Sequence, residues 1–397
     1  MATNITPYKI NIPQAEIESL NQKLGSSRFA KTVDDDWSSG PPIGDIRRIA
    51  THWREAFKWS AFEDKLNKLP NFEATLSLDG FEPFQLHFIH QKSSAPDAIP
   101  LLFVHGWPGS FYEVTKILNL VATKELPFHI VAPSLPNFGF SSGIDKSGFG
   151  MKQYAESCHK LMLGLNYNQY ATQGGDWGST ISRLMGYLYP KSVRALHLNL
   201  IVATPPPPSA PVAFARFLTT HILNRYTPSE AAGLQKAQSY QGTGDGYYEI
   251  QKQRPQTIGV ALEDSPVGLL TWMWDKMKSW TDDYPWTDDE ICEWVSLYWF
   301  SRAGPAASVR IYYESTKGEH VAGAGIFTQA KMGYSYFPKE IFRTPSFWNR
   351  QIGDVVFERE HERGGHFAAW EQPEGLLDDL CKMFEREGEA YKAVINH

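Results

Sequence analysis

The stretch Tyr167-Asn168-Gln169-Tyr170-Ala171-Thr172-Gln173-Gly174-Gly175-Asp176-Trp177-Gly178-Ser179 decides how this chain is read. It has the layout of a nucleophile elbow, in which a strand turns sharply into a helix and small residues on both sides let the central side chain stand at the apex. Ser is the usual occupant of that apex; here it is Asp176. The plain alternative is a tight turn whose Asp caps the following helix, so the weight rests on what the rest of the chain supplies.

A Ser at the apex needs a base to remove its proton, and it suits acyl transfer at a planar carbonyl. An aspartate is already ionised at neutral pH and can attack a saturated carbon directly, giving an alkyl ester that is later hydrolysed at the aspartate's own carbonyl. The expected substrate therefore carries an electrophilic carbon with a leaving group, such as an epoxide or a halide.

Working outward, 397 residues with 42% hydrophobic and 14% aromatic content are enough for one large core with an inserted or appended subdomain. Lys plus Arg (38) against Asp plus Glu (44) gives a net charge of −6 without a basic stripe, so nucleic acid is not expected as a partner. Cys158, Cys292 and Cys381 are far apart and odd in number, which fits a reducing compartment and argues against zinc. No secretory signal is visible at Met1 to Tyr8, and no window approaches the ~18 apolar residues of a membrane span, so a cytoplasmic protein without a membrane anchor is expected. Asn4-Ile5-Thr6 is a formal glycosylation sequon and, without a secretory route, carries no meaning.

Residues up to about 70 read as helical and aromatic, with Ile17, Leu20 and Leu24 on one helix face and Trp53, Phe57, Phe62 and Leu66 on another. Beyond them, 72–78 and 85–90 read as a hairpin pair. Strands are expected at 99–104, 128–132, in the run ending at Gln173, and at 193–200, with a helix over 151–165. Strands alternating with helices predict an α/β fold with a mostly parallel sheet flanked by helices. The alternation stops near residue 201, where Ala203-Thr204-Pro205-Pro206-Pro207-Pro208-Ser209-Ala210-Pro211 reads as a stiff connector. A Trp-rich helical region follows, including Trp272, Trp274, Trp280, Trp286, Trp294 and Trp299, whose tryptophans read first as core packing. Gly318, Gly323 and Gly325 mark a flexible return, and Asp354-Val355-Val356-Phe357 resumes the strands. The expected organisation is a core at 1–200 that includes an N-terminal helical extension at 1–70, an inserted helical cap at 201–318, and the rest of the core at 319–397.

A carboxylate nucleophile needs a base for its second half-reaction, and the base needs an orienting acid. Of the twelve histidines, His366 in Arg363-Gly364-Gly365-His366-Phe367 sits on a glycine loop just after the late strand. The preferred acid is Glu340 in Phe337-Pro338-Lys339-Glu340, at the end of the penultimate strand signal 332–337; Asp354 begins its strand and lies at the wrong sheet edge. His105-Gly106-Trp107-Pro108-Gly109-Ser110 follows the strand at 99–104, and such a loop commonly presents a backbone N–H to an oxyanion. Trp107 and Trp177 would supply the two donors. Gly139-Phe140-Ser141-Ser142-Gly143 fits a serine elbow formally but lies among turn residues, and His361 and His366 stand one residue too far apart for a zinc-protease helix, so no metal is assigned.

On these residues the chain resembles the epoxide hydrolases of the α/β-hydrolase superfamily, in particular the microsomal and fungal soluble branch, over nearly its whole length. Trp53 to Trp59 with Leu69 to Phe72 is similar to the N-terminal segment of that branch, His105 to Ser110 to its HGWPGS loop, and Gly174 to Gly178 to its elbow. The resemblance implies two cap tyrosines that hold the epoxide oxygen. Gly246-Tyr247-Tyr248-Glu249-Ile250-Gln251 followed by Arg254-Pro255 selects Tyr247 over Tyr248, and Arg310-Ile311-Tyr312-Tyr313-Glu314 selects Tyr312 over Tyr313, each doublet leaving a one-residue ambiguity. It also implies Asp176 as nucleophile, His366 and Glu340 as base and acid, and a cytoplasmic, cofactor-independent enzyme of detoxification. A small-molecule epoxide is its partner, and a homodimer stays open. No counterpart of the membrane anchor of microsomal members is expected. A haloalkane dehalogenase with the same nucleophile, or a non-catalytic binding member of the fold, are the alternatives.

Overall fold

A computed structural model describes residues 1–124, 126–317 and 326–395. Nine strands form its sheet: β1 (Thr3–Pro7), β2 (Asn71–Leu76), β3 (Phe84–Gln91), β4 (Ile99–Val104), β5 (Phe128–Pro133), β6 (Tyr170–Gly174), β7 (Val193–Leu198), β8 (Thr328–Tyr336) and β9 (Gly353–Glu360). Their spatial order is β1-β2-β3-β5-β4-β6-β7-β8-β9. The first three pair antiparallel, as β3 does with β5; from β5 to β9 every pair is parallel. Parallel strands covered on both faces read as unbroken apolar runs, and β4, Ile-Pro-Leu-Leu-Phe-Val, is buried at every position.

The helices follow from the same chain order. Three precede the hairpin: α1 (Gln14–Ser26), α2 (Ile43–Glu55) and α3 (Trp59–Asn67). Then come α4 (Thr115–Thr123), α5 (Met151–Gly164) and α6 (Asp176–Leu188). Between β7 and β8 lie α7 (Pro211–Ile222), α8 (Pro228–Thr243), α9 (Gly246–Gln253), α10 (Pro255–Asp264), α11 (Pro266–Ser279), α12 (Asp288–Trp299) and α13 (Arg310–Ser315). The chain ends with α14 (Ser346–Asn349), α15 (Ala368–Glu371), α16 (Pro373–Met383) and α17 (Glu389–Ile395).

Two expectations need correcting. Trp53, Phe57, Phe62 and Leu66 do not share one helix face, because Trp53 lies on α2, Phe62 and Leu66 on α3, and Phe57 in the break between the two. Residues 1–70 are not helical throughout, because Thr3–Pro7 forms β1 against β2 with an irregular register. An edge strand tolerates the Pro and polar residues that hide it from a periodicity argument. The three glycines at 318, 323 and 325 lie outside the described residues. No described helix is long and apolar enough to cross a membrane.

The early helices pack against α11 and α12, where the Trp53 indole N–H donates to Ser296 Oγ at 2.9 Å. Helix α12 in turn grips the loop after β4: the Trp294 indole donates to the Pro108 carbonyl and the Tyr298 hydroxyl to the Gly109 carbonyl, both at 2.6 Å. Two buried aromatic donors thus tie the inserted helices to the loop that faces Asp176, satisfying carbonyls that would otherwise be buried without partners.

Candidate active site

Asp176 is the first residue of α6 and holds φ +46°, in the left-handed region that L residues enter at a cost. The turn closes because its neighbours have no side chains. A Cβ at Gly178 would lie 1.9 Å from the Val104 carbonyl oxygen, and one at Gly106 would lie 2.0 Å from Asp176 Oδ1. The carboxylate is therefore pressed against the backbone of the loop after β4, where the Trp107 N–H donates to Oδ1 at 2.7 Å. The Trp177 N–H belongs to the first turn of α6, whose donors have no intrahelical acceptor. His105 organises this loop from behind: its ring contacts the Gly106 carbonyl through Nδ1 at 3.0 Å and accepts the Leu135 N–H at Nε2, 3.1 Å away. Burial holds its pKa down to about 4, so it stays neutral.

His366 lies between Asp176 and Glu340. Its Nδ1 is 2.6 Å from Glu340 Oε1 and its Nε2 is 3.4 Å from Asp176 Oδ2. Glu340 follows β8 and His366 follows β9, so adjacent parallel strands deliver them to the same edge of the sheet. The Glu340 Oε1 also accepts the Ile341 N–H at 2.6 Å, while its Oε2 has no partner. Burial opposes a charge on His366, but attraction to Glu340 and the hydrogen bonds with Asp176 and Glu340 outweigh it and raise the imidazole pKa well above its ordinary value. The loop is braced by Glu371, which accepts the Phe367 and Asp282 N–H groups, and by Trp280, whose carbonyl accepts the His366 N–H at 2.9 Å and whose ring lies edge-on at 4.9 Å. Trp280 thus packs on a site residue, a role its place in a run of tryptophans gave no sign of.

In front of Asp176, Tyr312 and Tyr247 close the site from the inserted helices. Tyr247 stacks on Trp107 at 5.4 Å, Tyr312 meets the Trp177 ring at 5.0 Å, and the two tyrosine rings are 5.8 Å apart. Burial and the nearby Asp176 charge keep both phenols well above their ordinary pKa, hence protonated. The Tyr312 hydroxyl is buried without a partner, an orphaned donor of the kind that marks a site waiting for an acceptor. The alternative members of each doublet sit differently. Tyr313 faces Lys317, whose ammonium is 3.7 Å from its ring, and lines another cleft; Tyr248 lines the same pocket as Tyr247, its ring 5.4 Å from that of Tyr312, but is only partly buried and lies beside Lys252. Asp354 is tied to Lys331 near the start of β9, away from His366. Ser141 is buried, donating to the Ser134 carbonyl and accepting the His87 N–H, so it has no free hydroxyl for chemistry.

Asp176 borders two spaces. A pocket of about 470 Å³ is lined by Asp176, Trp177, Tyr247, Tyr312 and apolar side chains including Leu200 and Ile341. Behind it, a cavity of only about 20 Å³ is lined by Asp176, His366, Gly109, Gln173 and Glu113. Sequence reasoning missed two residues. Glu113 reads as the last member of a Ser110-Phe111-Tyr112-Glu113 capping box, which it is. Tyr240, whose hydroxyl is 2.8 Å from that of Tyr247, had no motif of its own.

A carboxylate at the elbow, backed by a histidine and acid at the ends of β9 and β8 and roofed by helices inserted after β7, defines the α/β-hydrolase class in its aspartate-bearing form. The comparisons narrow the class. A family model for the epoxide hydrolase N terminus matches residues 5–114, and one for the alpha/beta hydrolase fold matches residues 99–285. Epoxide hydrolase 1 of Sus scrofa is 32% identical over 96% of this chain and 88% of its own. The structure of Aspergillus niger epoxide hydrolase superposes with a TM-score of 0.84 at 33% identity, covering 96% of each chain. The juvenile hormone epoxide hydrolase of Bombyx mori gives 0.84 at 27% identity, covering 96% of this chain and 94% of its own. The chain belongs to the epoxide hydrolase family of the α/β-hydrolase fold.

Proposed function

We propose that this chain hydrolyses epoxides to vicinal diols through a covalent ester on Asp176. The observation that carries the reading is the placement of one strained carboxylate between a roomy pocket with two protonated phenols and a back wall that holds a histidine. In the first step Asp176 attacks an epoxide carbon. Tyr247 and Tyr312 donate to the ring oxygen as it becomes an alkoxide, in surroundings where a desolvated donor is worth most. The inserted helices that carry the tyrosines act as a cap.

Esterification removes the Asp176 charge, one of the two carboxylates that hold a proton on His366, so that proton is released, balancing the one the alkoxide takes up. The chemistry of the first step thereby prepares the base for the second. His366, oriented by Glu340, takes a proton from water, which attacks the ester carbonyl; the Trp107 and Trp177 amides receive the oxyanion, and the diol leaves. The apolar lining favours lipophilic epoxides that fit about 470 Å³. Three free cysteines support a cytoplasmic setting. A halide leaving group would be better served by weak N–H donors than by two phenols, so dehalogenation is not favoured.

Oxygen tracing tests the covalent route. A single turnover of styrene oxide with excess enzyme in 18O-water should give unlabelled diol and leave the label in the peptide containing Asp176. Labelled diol from the first turnover means direct attack by water and removes Asp176 as nucleophile.

A further inference from the structure

One face of cap helix α8 runs along the chain that follows β8, where Glu340 sits, and residues three to four apart on that face make the contacts. Glu230 is buried, and its Oε1 accepts the N–H and the hydroxyl of Ser346 at 2.9 and 3.0 Å. Gly233 lies so tightly on Arg343 that a Cβ there would be 2.7 Å from the Arg343 carbonyl oxygen. Tyr240 meets the Phe342 ring edge-on at 5.0 Å. Between them, the half-buried Lys236 donates from Nζ to the carbonyls of Lys339 and Glu340, both at 2.7 Å.

Those two carbonyls are consecutive. In a strand successive carbonyls point to opposite sides; here a turn, closed by the Glu340 N–H on the Phe337 carbonyl at 3.2 Å, aims both at one point. Dipoles aligned at that range repel, and a cation between them turns the repulsion into two charge-assisted bonds. No described backbone N–H donates to either carbonyl, so Lys236 holds the turn on that side. On the other side the Lys339 N–H donates to the Gly364 carbonyl at 3.0 Å, in the loop of His366. The Glu340 carboxylate has few ties of its own. Its Oε1 is shared between the Ile341 N–H and His366, and its Oε2 has no partner. The place of the carboxylate therefore depends on its backbone, and the backbone on a lysine of the cap.

We propose that Lys236 is a positioning residue for ester hydrolysis, the cap's hold on the turn that keeps Glu340 against His366. This rests on Asp176 being the nucleophile. Glu340 orients the imidazole that takes the proton from water, and a turn released by Lys236 lets the carboxylate leave the 2.6 Å at which it holds Nδ1. Alkylation asks nothing of Glu340, because Asp176 attacks as a carboxylate and the two cap tyrosines receive the oxygen. Helix α8 itself stays seated without the lysine, since Glu230 and Gly233 hold it independently. One helix thereby reaches both sides of the nucleophile, the pocket through Tyr240 and the acid through Lys236.

Lys236→Met tests this, with Lys236→Ala in its place should the methionine variant fail to fold. Stopped-flow tryptophan fluorescence and quenched intact mass measure the two half-reactions with styrene oxide. Alkylation should stay within about twofold of the parent while ester hydrolysis slows about fivefold or more, the cost of a modest misplacement of the groups that deliver the water. The alkyl-enzyme then accumulates, and kcat and KM fall together. Lys236→Arg keeps the charge and the donors and should recover most of the lost rate. Glu230→Ala removes the neighbouring tie of α8 and leaves the acid turn alone; it should lower the unfolding midpoint without singling out ester hydrolysis. The assignment is overturned by parental ester hydrolysis in the folded methionine variant, by equal slowing of both steps, by an arginine variant as slow as the methionine one, or by the same selective loss in Glu230→Ala. His366→Gln is the control for the covalent reading: an ester trapped there shows that it holds whatever Lys236 does.

Discussion

Asp379 on α16 and Asp176 at the head of α6 are both carboxylates set against histidines beside one sheet, and their surroundings differ in every other respect. Asp379 is 0% exposed and fully partnered: His361 Nε2 is 2.5 Å from Oδ2, Arg359 donates to Oδ1 at 3.0 Å, and Ser335 donates to Oδ2 while lying 3.0 Å from His197 Nε2. A Ser, His and Asp in contact would pass for catalytic machinery in a list of neighbours. Asp176 keeps 15% of its side-chain surface, sits at a strained φ, and has a histidine at 3.4 Å, not in a short bond. What separates the two clusters is unspent bonding capacity beside open space. Asp379 is saturated and its cluster sealed, the unpartnered His197 Nδ1 included; around Asp176, which borders a pocket, the Tyr312 hydroxyl and Glu340 Oε2 lack partners.

The contrast is sharpest under parallel substitution. Asp176→Asn should lower kcat by on the order of 10⁴ or more while leaving the unfolding midpoint close to the parent, because the amide tolerates the left-handed conformation and keeps an oxygen to accept the Trp107 N–H. Asp379→Asn should do the reverse, costing about 3 to 5 kcal/mol with kcat of the folded fraction within a few-fold. Activity titration and urea unfolding of both variants read the two effects; a catalytic collapse in folded Asp379→Asn would break the distinction.

Next in size are the two phenols. Tyr247→Phe and Tyr312→Phe should each slow alkylation by roughly 1 to 3 kcal/mol, one hydrogen bond to developing charge, and the double variant should be almost inactive. Pre-steady-state alkylation unchanged in both single variants would transfer the role to Tyr248 and Tyr313.

These residues also show where reading a sequence stops. The apolar run of β4, the glycine-flanked Asp176 and the strand before His366 were legible because each is a local pattern: an unbroken buried strand, a turn that needs small residues, a loop with two glycines. Strand β1 was not, since Thr3–Pro7 owes its structure to pairing with Thr75 and Phe72, far along the chain. Glu113 was hidden by its own local sense as a capping residue, and the second space behind Asp176 exists only once β4, α6 and the His366 loop are assembled. Spacing could propose Glu340 beside His366; the 2.6 Å between them is a product of two parallel strands ending side by side.

Acidity should act on His197 and His366 in opposite directions. Burial, against an opposing Asp379 charge, holds His197 down to about 4, so its contribution to stability is present above its ordinary value of 6.5 and is lost as pH falls from there towards 4. His366 is raised, so its contribution is fully present below 6.5 and is lost only as pH rises through its elevated pKa. Urea unfolding from pH 7 to 4.5 should therefore lose stability, and His197→Gln should remove its share of that slope, the rest belonging to the other histidines that burial holds down, His87, His90, His105 and His159. An unchanged slope in the variant would mean that His197 is not among the groups titrating.

The smallest expected effect concerns Tyr240, which lies within the large pocket and whose hydroxyl is 2.8 Å from that of Tyr247. A hydroxyl that accepts one hydrogen bond becomes a better donor of its own. While Tyr240 donates to Tyr247, the Tyr247 proton is free to point at the epoxide oxygen, and its donor strength is raised as charge builds there. Tyr240 is partly exposed and belongs to no catalytic motif, so its loss removes only this support. Tyr240→Phe should slow alkylation by about 0.5 to 1.5 kcal/mol, the worth of a neutral hydrogen bond, and leave ester hydrolysis alone. The double variant Tyr240→Phe with Tyr247→Phe decides the matter: if Tyr240 acts through Tyr247, its effect disappears once Tyr247 is gone. Additive losses would instead give Tyr240 its own contact with the substrate, and the front of the site would then hold three phenols acting on the leaving oxygen, not two with a support.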